Sequence, residues 1–399
     1  MKCLILTSEY PPSIGGVGNA AAAFAKEMSA RGWVIEIVTG SVLEHHQKEE
    51  APEGIIHRLC LNGDASYWNP ISGELARFEA LITDFSPDVA VIHGWQGWCV
   101  KAVPRLHSAK IPIVLQSHGF GMHRVPWHLR PPFGLKAWAG NVPFMLRLPN
   151  FIQNLYALSV LSKEPRLLTG FDHWVGSRFR CQNVVTIPNG VEKIESSPLE
   201  FFETCPSALN KHIVLCVANY CDRKNQLLAL DVARQIGKED IFFAFVGGEQ
   251  NSYYRELEKR TQAWGLERRV ALFHGVSRSF TESAIQACDI ALMTSKWEMQ
   301  PLFLLEAMSA SKPWVSTNVG SVSELHGGII SKFSTKDLRS NLFKIIHEKE
   351  LKNRLSKQGA TQWAAEFSTV LVYNRWHELL SSAITNKIGK NAYRANYNG

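Results

Sequence analysis

Two carboxylates lie eight residues apart in the stretch WEMQPLFLLEAM, at Glu298 and Glu306. Such a pair is typical of an acid–base couple, a set of metal ligands, or acceptors for the hydroxyls of a polyol. Pro301 between them favours the first turn of a helix, because its missing N–H would lack a partner there. The sequence therefore predicts Glu298 in a loop and Glu306 inside a helix, with both beside exposed N–H groups that attract anions and hydroxyls.

A lysine and a glycine loop have the chemistry to contact phosphate. Lys224 follows the apolar run HIVLCVANY and precedes a helical pattern, and parallel sheets bind ligands at such turns. A cation there can neutralise a diphosphate leaving group, although a solvated surface lysine is equally consistent with this segment alone. Gly15 and Gly16 precede an alanine-rich helix, whose exposed N–H groups can contact a phosphate oxygen.

The same glycines also match a dinucleotide fingerprint, as Gly16-x-Gly18-x-x-Ala21. In that fingerprint the first glycine follows its strand directly, whereas about eight residues separate them here. The second strand ends in VTG, without an acid to hold a ribose. An NAD(P)-dependent oxidoreductase therefore remains only a less favoured alternative.

Two series of alternating strand and helix patterns must position these residues. The first series runs from KCLILTS to VVTIPNGVE, and the second begins at HIVLCVANY. A chain of 399 residues is also longer than one hydrophobic core usually serves. We therefore predict an α/β fold of two doubly wound, Rossmann-like domains. The predicted divisions are 1–195, 196–365 and a returning C-terminal helix with a frayed basic tail at 366–399.

Composition excludes several classes of protein. The eight cysteines are scattered without a C-x-x-C pair, which favours reduced thiols over a disulfide or zinc framework. No apolar run approaches the roughly 20 residues of a membrane-spanning helix, and the start predicts a buried strand rather than a secretion signal. No D-x-D pair is present to bridge a metal and a diphosphate. We expect a cytoplasmic, metal-independent protein without a cofactor.

Charge is unevenly distributed, because no acidic residue occurs between Asp88 and Glu164. Basic residues interleaved with tryptophans favour contact with an anionic lipid surface, a lipid-linked phosphate or a nucleic acid, and chance clustering is the alternative. Without a nucleic-acid recognition motif we do not expect a nucleic-acid partner. The basic residues are Lys101, Arg105, Lys110, Arg124, Arg130, Lys136, Arg147 and Lys163, and the tryptophans are Trp95, Trp98, Trp127 and Trp138.

Taken in order, the motifs GGVG, LQSHG, IPNGVE and WEMQPLFLLEAMSASKPWVSTNVGSVSE resemble the family-4 retaining glycosyltransferases of the GT-B fold. The resemblance covers most of the chain. It implies two Rossmann-like domains that face a central cleft, with a UDP-, GDP- or ADP-sugar donor held mainly by the second. The implied acceptor is a hydroxyl of a glycan or lipid-linked molecule in polysaccharide or glycolipid synthesis. The acid-free segment with its basic residues and tryptophans adds the expectation of peripheral contact at the inner face of a membrane.

The resemblance also implies roles for individual residues. Lys224 matches the diphosphate lysine, Glu298 the donor-sugar glutamate, Glu306 the ribose glutamate and His118 the histidine near the reacting centre. Lys224, Glu298 and His118 are the implied catalytic residues. The other implied donor-side residues are Gly15, Gly16, Asn219, Arg223, Val276, Met299, Gln300, Pro301 and Leu302, and the acceptor-side residues are Tyr10, His93, Trp95 and Arg124.

Two departures from the family pattern leave a second class of function open. Asn219 stands where the family usually has an arginine, so stabilisation of the leaving group would rest more heavily on Lys224, with Arg223 as a substitute. Met299 and Gln300 replace a glycine and an aromatic residue, which leaves the sugar open. A non-catalytic scaffold that binds a nucleotide-sugar is therefore the main alternative. A glycosidase also uses two carboxylates, but it needs neither paired domains nor a phosphate lysine.

Overall fold

The computed structural model describes residues 1–12, 16–41, 46–60, 74–94, 99–118, 155–162, 184–237 and 240–388. The chain divides into two compact units. One unit combines Met1–Pro188 with Val372–Gly399, and the other is Asn189–Leu371. The sequence predicted boundaries after residues 195 and 365, and the structure has them after residues 188 and 371.

The described residues of the first unit form one eight-stranded sheet of order β3-β4-β2-β1-β5-β6-β7-β8. Its pairings are parallel except for β3, which runs antiparallel to β4 at the edge. The strands are β1 Lys2–Thr7, β2 Val34–Ser41, β3 Gln47–Ala51, β4 Gly54–Cys60, β5 Val89–His93, β6 Ile113–Ser117, β7 Ala157–Val160 and β8 Val184–Thr186. The helices are α1 Gly16–Ala30, α2 Leu75–Phe85 and α3 Cys99–Ser108.

Both faces of this sheet are covered. Every residue of β5, β6 and β7 is buried, as expected for the continuous apolar runs of a parallel sheet. On one face, the buried core includes Phe78 of α2 and Leu106 of α3. On the other face, it includes Phe24 and Met28 of α1.

A long C-terminal helix belongs to this first unit. Helix α11, Thr369–Ile388, buries Trp376 against Phe24 with their ring centroids 5.1 Å apart. Trp33 Nε1 donates a hydrogen bond to His377 Nδ1 at 3.0 Å. The apolar stripe of this helix therefore packs on the α1 side of the sheet, as its amphipathic sequence predicts.

The second unit contains a parallel six-stranded sheet of order β11-β10-β9-β12-β13-β14. Its strands are β9 His212–Val217, β10 Ile241–Gly247, β11 Val270–His274, β12 Ile290–Met293, β13 Trp314–Thr317 and β14 Gly328–Ser331. Its helices are α4 Leu199–Thr204, α5 Gln226–Ile236, α6 Ser252–Ala263, α7 Arg278–Ala287, α8 Leu302–Ser309, α9 Thr335–His347 and α10 Lys349–Gln362, with shorter 3₁₀ or π turns at Pro206–Ala208, Gly320–Glu324 and Trp363–Phe367.

Counted from β9, this strand order is 3-2-1-4-5-6, the Rossmann arrangement. The order reverses between β9 and β12, and doubly wound sheets bind ligands at the carboxyl ends of the strands beside such a reversal. The loops after β9 and β12 carry Lys224 and Glu298. The predicted class of two doubly wound α/β domains is confirmed.

Candidate functional site

Lys224 and Glu298 meet at the reversal point of the second sheet. Lys224 Nζ lies 2.6 Å from Glu298 Oε1, although 74 residues separate them in the chain. Ser295 Oγ donates to the same carboxylate oxygen at 2.7 Å. Only 6% of Glu298 is exposed. The carboxylate is therefore fixed by two donors, one of them charged, and such charge-assisted hydrogen bonds are the stronger kind.

The two loops that carry this pair are tied together through their main chains. The Lys296 N–H donates to the Arg223 carbonyl at 2.8 Å, and Thr294 Oγ1 donates to the Asn225 carbonyl at 2.9 Å. Asn225 adopts a left-handed conformation, with φ of 54°, immediately before α5. Asparagine tolerates this region better than most residues. The lysine is thus held on an ordered turn.

A tight turn supports the chain after Glu298. Gly320 has φ of +58°, and an added Cβ would lie 2.5 Å from the Met299 carbonyl oxygen and 2.8 Å from that of Glu298. The Ser321 N–H donates to the Met299 carbonyl at 2.8 Å. Gln300, which is 8% exposed, accepts a hydrogen bond from the Asn189 N–H through Oε1 at 2.7 Å. The side-chain oxygen of Gln300 therefore holds the Asn-Gly turn of the motif IPNGVE in place.

Glu306 lies inside helix α8, and Glu298 lies in the loop before it, as Pro301 predicts. The sequence predicted Pro301 in the first turn of this helix. In the structure Pro301 is the N-cap, and the helix begins one residue later, at Leu302. Its ψ of 97° is extended, and its carbonyl accepts from the Leu304 N–H at 3.0 Å. Leu302 begins the helix without a side-chain cap, which leaves N–H groups of the first turn for a ligand.

An arginine pairs with Glu306. Arg278 Nη1 lies 2.6 Å from Glu306 Oε1, and Arg278 Nε lies 2.9 Å from Glu282 Oε1. Burial raises the pKa of Glu306 above its ordinary value, and the charge of Arg278 partly offsets that rise. Val276, two residues before Arg278, is half-buried in the turn between β11 and α7.

Two glycines allow the β9 loop to approach β10 closely. An added Cβ on Gly247 would lie 2.4 Å from the Tyr220 ring, and one on Gly248 would lie 2.9 Å from Asn219 Oδ1. The buried Tyr220 hydroxyl donates to the Phe273 carbonyl at 2.7 Å. Asn219 is exposed directly beside this packed tyrosine. Exposed Arg223 instead lies over the Trp297 ring, 5.5 Å from its centroid.

In the first unit, two histidines meet where β5 and β6 end. His93 Nδ1 lies 3.3 Å from His118 Nε2, and the rings are stacked with centroids 5.5 Å apart. Burial lowers the pKa of His118 to about 4, and burial together with the neighbouring His118 lowers that of His93 well below its ordinary value. Both imidazoles are therefore neutral at physiological pH. His93 Nε2 is buried and has no hydrogen-bond partner among the described residues.

Two family models match the chain. One, described as "Glycosyl transferases group 1", matches residues 200–362, and another, described as "Glycosyl transferase 4-like domain", matches residues 15–160. The chain belongs to the family-4 type of glycosyltransferases.

Curated relatives are distant and align over part of their length. Alpha-D-kanosaminyltransferase of Streptomyces kanamyceticus is 24% identical over 164 residues, which is 40% of this chain and 42% of that protein. Poly(ribitol-phosphate) alpha-N-acetylglucosaminyltransferase of Staphylococcus aureus is 22% identical over 215 residues, 52% of this chain and 41% of that protein. The chain thus spans less than half the length of these relatives.

Solved structures share the whole fold. Sucrose-phosphate synthase from Thermosynechococcus elongatus superposes with a TM-score of 0.76 at 16% identity, over 97% of this chain and 100% of that chain. Anabaena HepE in complex with UDP-glucose gives a TM-score of 0.72 at 18% identity, over 96% and 100%. These similarities establish the GT-B fold for this member of the family.

The structure describes two of the four predicted acceptor-side residues. Tyr10 is only 2% exposed, and its hydroxyl donates to Glu53 Oε1 at 2.8 Å. Its role on the acceptor side stays a prediction. His93 lies beside His118, as described above. Trp95 and Arg124 lie outside the described residues, as does most of the acid-free segment.

The glycine loop is described only in part. Gly15 lies outside the described residues, and Gly16 begins α1 with open space around the position of an added Cβ. Gly18 is the more constrained glycine, because its added Cβ would lie 3.0 Å from the Glu9 carbonyl oxygen. Gly16 therefore remains a predicted phosphate contact, whereas Gly18 allows the close approach of the preceding chain.

Sequence reasoning missed Ser295, Arg278 and the Gly247-Gly248 pair. The glycine pair carries a local signal, because it lies at the end of a buried strand, with Gly247 as the last residue of β10. Ser295 and Arg278 carry none, since each acts on a glutamate through a contact formed only in the folded unit. Across the ranges that the structure describes, no group of three His, Cys, Asp or Glu side chains could hold a metal ion. No helix there is long and apolar enough to span a membrane.

Proposed function

We propose that this protein transfers a sugar from a nucleotide-diphosphate sugar to a hydroxyl of a glycan or lipid-linked acceptor, with retention at the anomeric carbon. The observation that carries the proposal is the 2.6 Å contact of Lys224 with Glu298 at the reversal point of the second sheet. Where the diphosphate of a donor joins its sugar, the cation can bind the diphosphate and the carboxylate can accept hydrogen bonds from the sugar. The family membership supports the same reaction.

In this proposal, positively charged groups bind the diphosphate and carboxylates bind the hydroxyls of the donor. Lys224 and the first turn of α8 stabilise the departing diphosphate, since positive charge and free N–H groups favour an anion. Glu298 accepts hydrogen bonds from the sugar, and Glu306 accepts them from the ribose. Because Lys224 and Ser295 already engage Oε1 of Glu298, we assign this carboxylate to binding rather than to nucleophilic attack.

In the proposed reaction the acceptor hydroxyl attacks the anomeric carbon from the face that the diphosphate leaves. The bond from that carbon to the phosphate oxygen breaks, and a bond to the acceptor oxygen forms. The departing phosphate oxygen takes the acceptor proton, so no protein base is required for proton balance. Neutral His118 is proposed to lie near the reacting centre as a hydrogen-bonding group.

A donor panel tests the proposal. Binding of UDP-, GDP- and ADP-sugars is measured by calorimetry, and donor hydrolysis or transfer by release of the nucleoside diphosphate. We expect one nucleotide class to bind and to turn over, also in the presence of EDTA, because we propose metal independence. A non-catalytic scaffold would bind a donor without turnover. Binding of no donor would contradict both.

The proposed acceptor side includes peripheral contact with an anionic membrane. Its support is the excess of basic residues between Asp88 and Glu164, in a stretch without any acid. Co-sedimentation with vesicles of phosphatidylcholine, with and without phosphatidylserine, tests it. We expect binding only to the anionic vesicles and its loss at high salt. Binding that does not depend on lipid charge or on salt concentration would contradict this contact.

A further inference from the structure

Arg278, the first residue of α7, connects Glu306 to a second carboxylate, that of Glu282. Its guanidinium contacts Glu306 Oε1 at 2.6 Å through Nη1 and Glu282 Oε1 at 2.9 Å through Nε. The other carboxylate oxygen of Glu282 accepts from Ser196 Oγ at 2.8 Å. The orientation of the arginine is therefore fixed from one side by Glu282, and its remaining contact is directed at Glu306.

Helix stability does not explain an arginine at this position. A cation in the first turn faces the positive end of the helix dipole, which is unfavourable. The order Arg278 before Glu282 is also the weaker arrangement of an ion pair four residues apart. The side chain is also 57% exposed, so burial does not account for it. The contact with Glu306 is the feature that accounts for the placement.

The contact with Arg278 involves only one of the two carboxylate oxygens of Glu306. The glutamate side chain is 13% exposed. Its Oε1 is held by Arg278, and its Oε2 accepts no hydrogen bond from the described residues. Burial raises the pKa of Glu306, and the positive charge of Arg278 acts against that rise and favours the ionised form. An ionised carboxylate accepts stronger hydrogen bonds than a neutral one.

We propose that Arg278 is a positioning residue that holds Glu306 so that Oε2 accepts a hydrogen bond from a ribose hydroxyl of the nucleotide. The inference rests on the proposed function, since it assumes a nucleotide at this site. It makes Arg278 a determinant of selectivity for ribonucleotides over their deoxy analogues. The arginine acts through Glu306 and does not need to touch the sugar itself.

The test compares ribose selectivity in matched variants. Dissociation constants are measured for whichever of UDP, GDP and ADP the wild type binds most tightly, and for its 2′,3′-dideoxy analogue. We expect the wild type to prefer the ribonucleotide by about tenfold, the size typical of one hydrogen bond to a charged group. Arg278→Gln should reduce that preference by about threefold or more, with affinity for the dideoxy analogue nearly unchanged.

Three further variants separate positioning from a general effect on folding. Arg260→Gln removes another arginine from an ion pair four residues apart, with Glu256 on α6, and should leave the preference unchanged. Glu282→Gln should reduce the preference in the same direction as Arg278→Gln. Combining Arg278→Gln with Glu306→Gln should add little to Glu306→Gln alone, since both act through one group.

The outcomes distinguish this inference from the proposed function. A wild type that binds none of the three nucleoside diphosphates contradicts both. A wild type that binds one of them without preference for the ribonucleotide overturns the inference alone. The same holds if Arg278→Gln keeps the full preference, or if it weakens both nucleotides equally, because a merely structural role would have that effect.

Discussion

At the residue scale, the two glutamates of WEMQPLFLLEAM have different partners. Glu298 is held by Lys224 and Ser295, whereas Glu306 is held by Arg278. The sequence indicated the loop and helix positions of the two glutamates, because Pro301 is a local signal. It did not indicate Ser295 or Arg278 as their partners, because those contacts depend on how strands and helices pack.

Lys224 and Glu306 should give different kinetic results. Lys224→Ala should lower kcat by about 100-fold or more, since a lost electrostatic donor at a developing charge costs about 10²–10³. Glu306→Ala should mainly raise the donor KM, because ribose binding is shared by the ground and transition states. Steady-state kinetics with the donor identified by the panel measures both effects.

Lys296→Ala is the matched control for the lysine. Lys296 also follows a strand of the second sheet, but it pairs with exposed Asp222 at 2.6 Å. We expect its kcat to stay within about twofold of the wild type, because exposed ion pairs contribute little. Equal losses in the two lysine variants would contradict the specific role of Lys224.

At the element scale, the strand and helix order was predictable, and the tight turns were less so. Buried apolar runs and the amphipathic C-terminal helix carry their own periodicity, which marks them in sequence. The turn at Gly320 depends instead on the Met299 carbonyl, which approaches from another loop. A close approach of this kind has no local sequence pattern, so its partner could not be predicted.

Gly320→Ala should destabilise the second unit more than Gly237→Ala does. Both glycines have a positive φ, +58° and +65°, but an added Cβ meets the Met299 carbonyl at Gly320 and nothing within 4 Å at Gly237. Left-handed backbone costs alanine about 1–2 kcal/mol at either site. The overlap at Gly320 should add about 1–3 kcal/mol.

Urea unfolding of the two alanine variants measures this difference. Because the Gly320 turn supports the main chain at Glu298, we also expect weaker donor binding in Gly320→Ala. Donor affinity in Gly237→Ala should be unchanged, since that glycine follows α5 on the surface. Equal unfolding free energies for the two variants would show that the turn tolerates a Cβ.

At the scale of the whole molecule, buried and half-buried histidines should make the stability of the first unit depend on pH. Burial lowers the pKa of His57 and of His118 to about 4, and that of His93 is lowered as well. In the unfolded chain these imidazoles titrate at about 6.5. Between these values the unfolded state binds more protons, so the free energy of unfolding falls as pH falls.

Replacing one histidine should flatten this dependence. Between pH 7 and pH 5, above most carboxylate titration, His118 should contribute at most about 2 kcal/mol to the fall in unfolding free energy. His118→Gln should remove that contribution, whereas replacement of exposed His107 should not. Urea unfolding at the two pH values measures it. An identical slope in wild type and His118→Gln would contradict burial of a neutral imidazole.

The central claim is that the Lys224–Glu298 pair serves transfer of a sugar from a nucleotide-diphosphate donor. The most direct measurement is release of nucleoside diphosphate from a panel of UDP-, GDP- and ADP-sugars by the wild type and by Lys224→Ala, beside donor binding by calorimetry. We predict that the wild type releases product from one nucleotide class and that Lys224→Ala loses most of that release. Donor binding without any release by the wild type, or full release by Lys224→Ala, would contradict the claim.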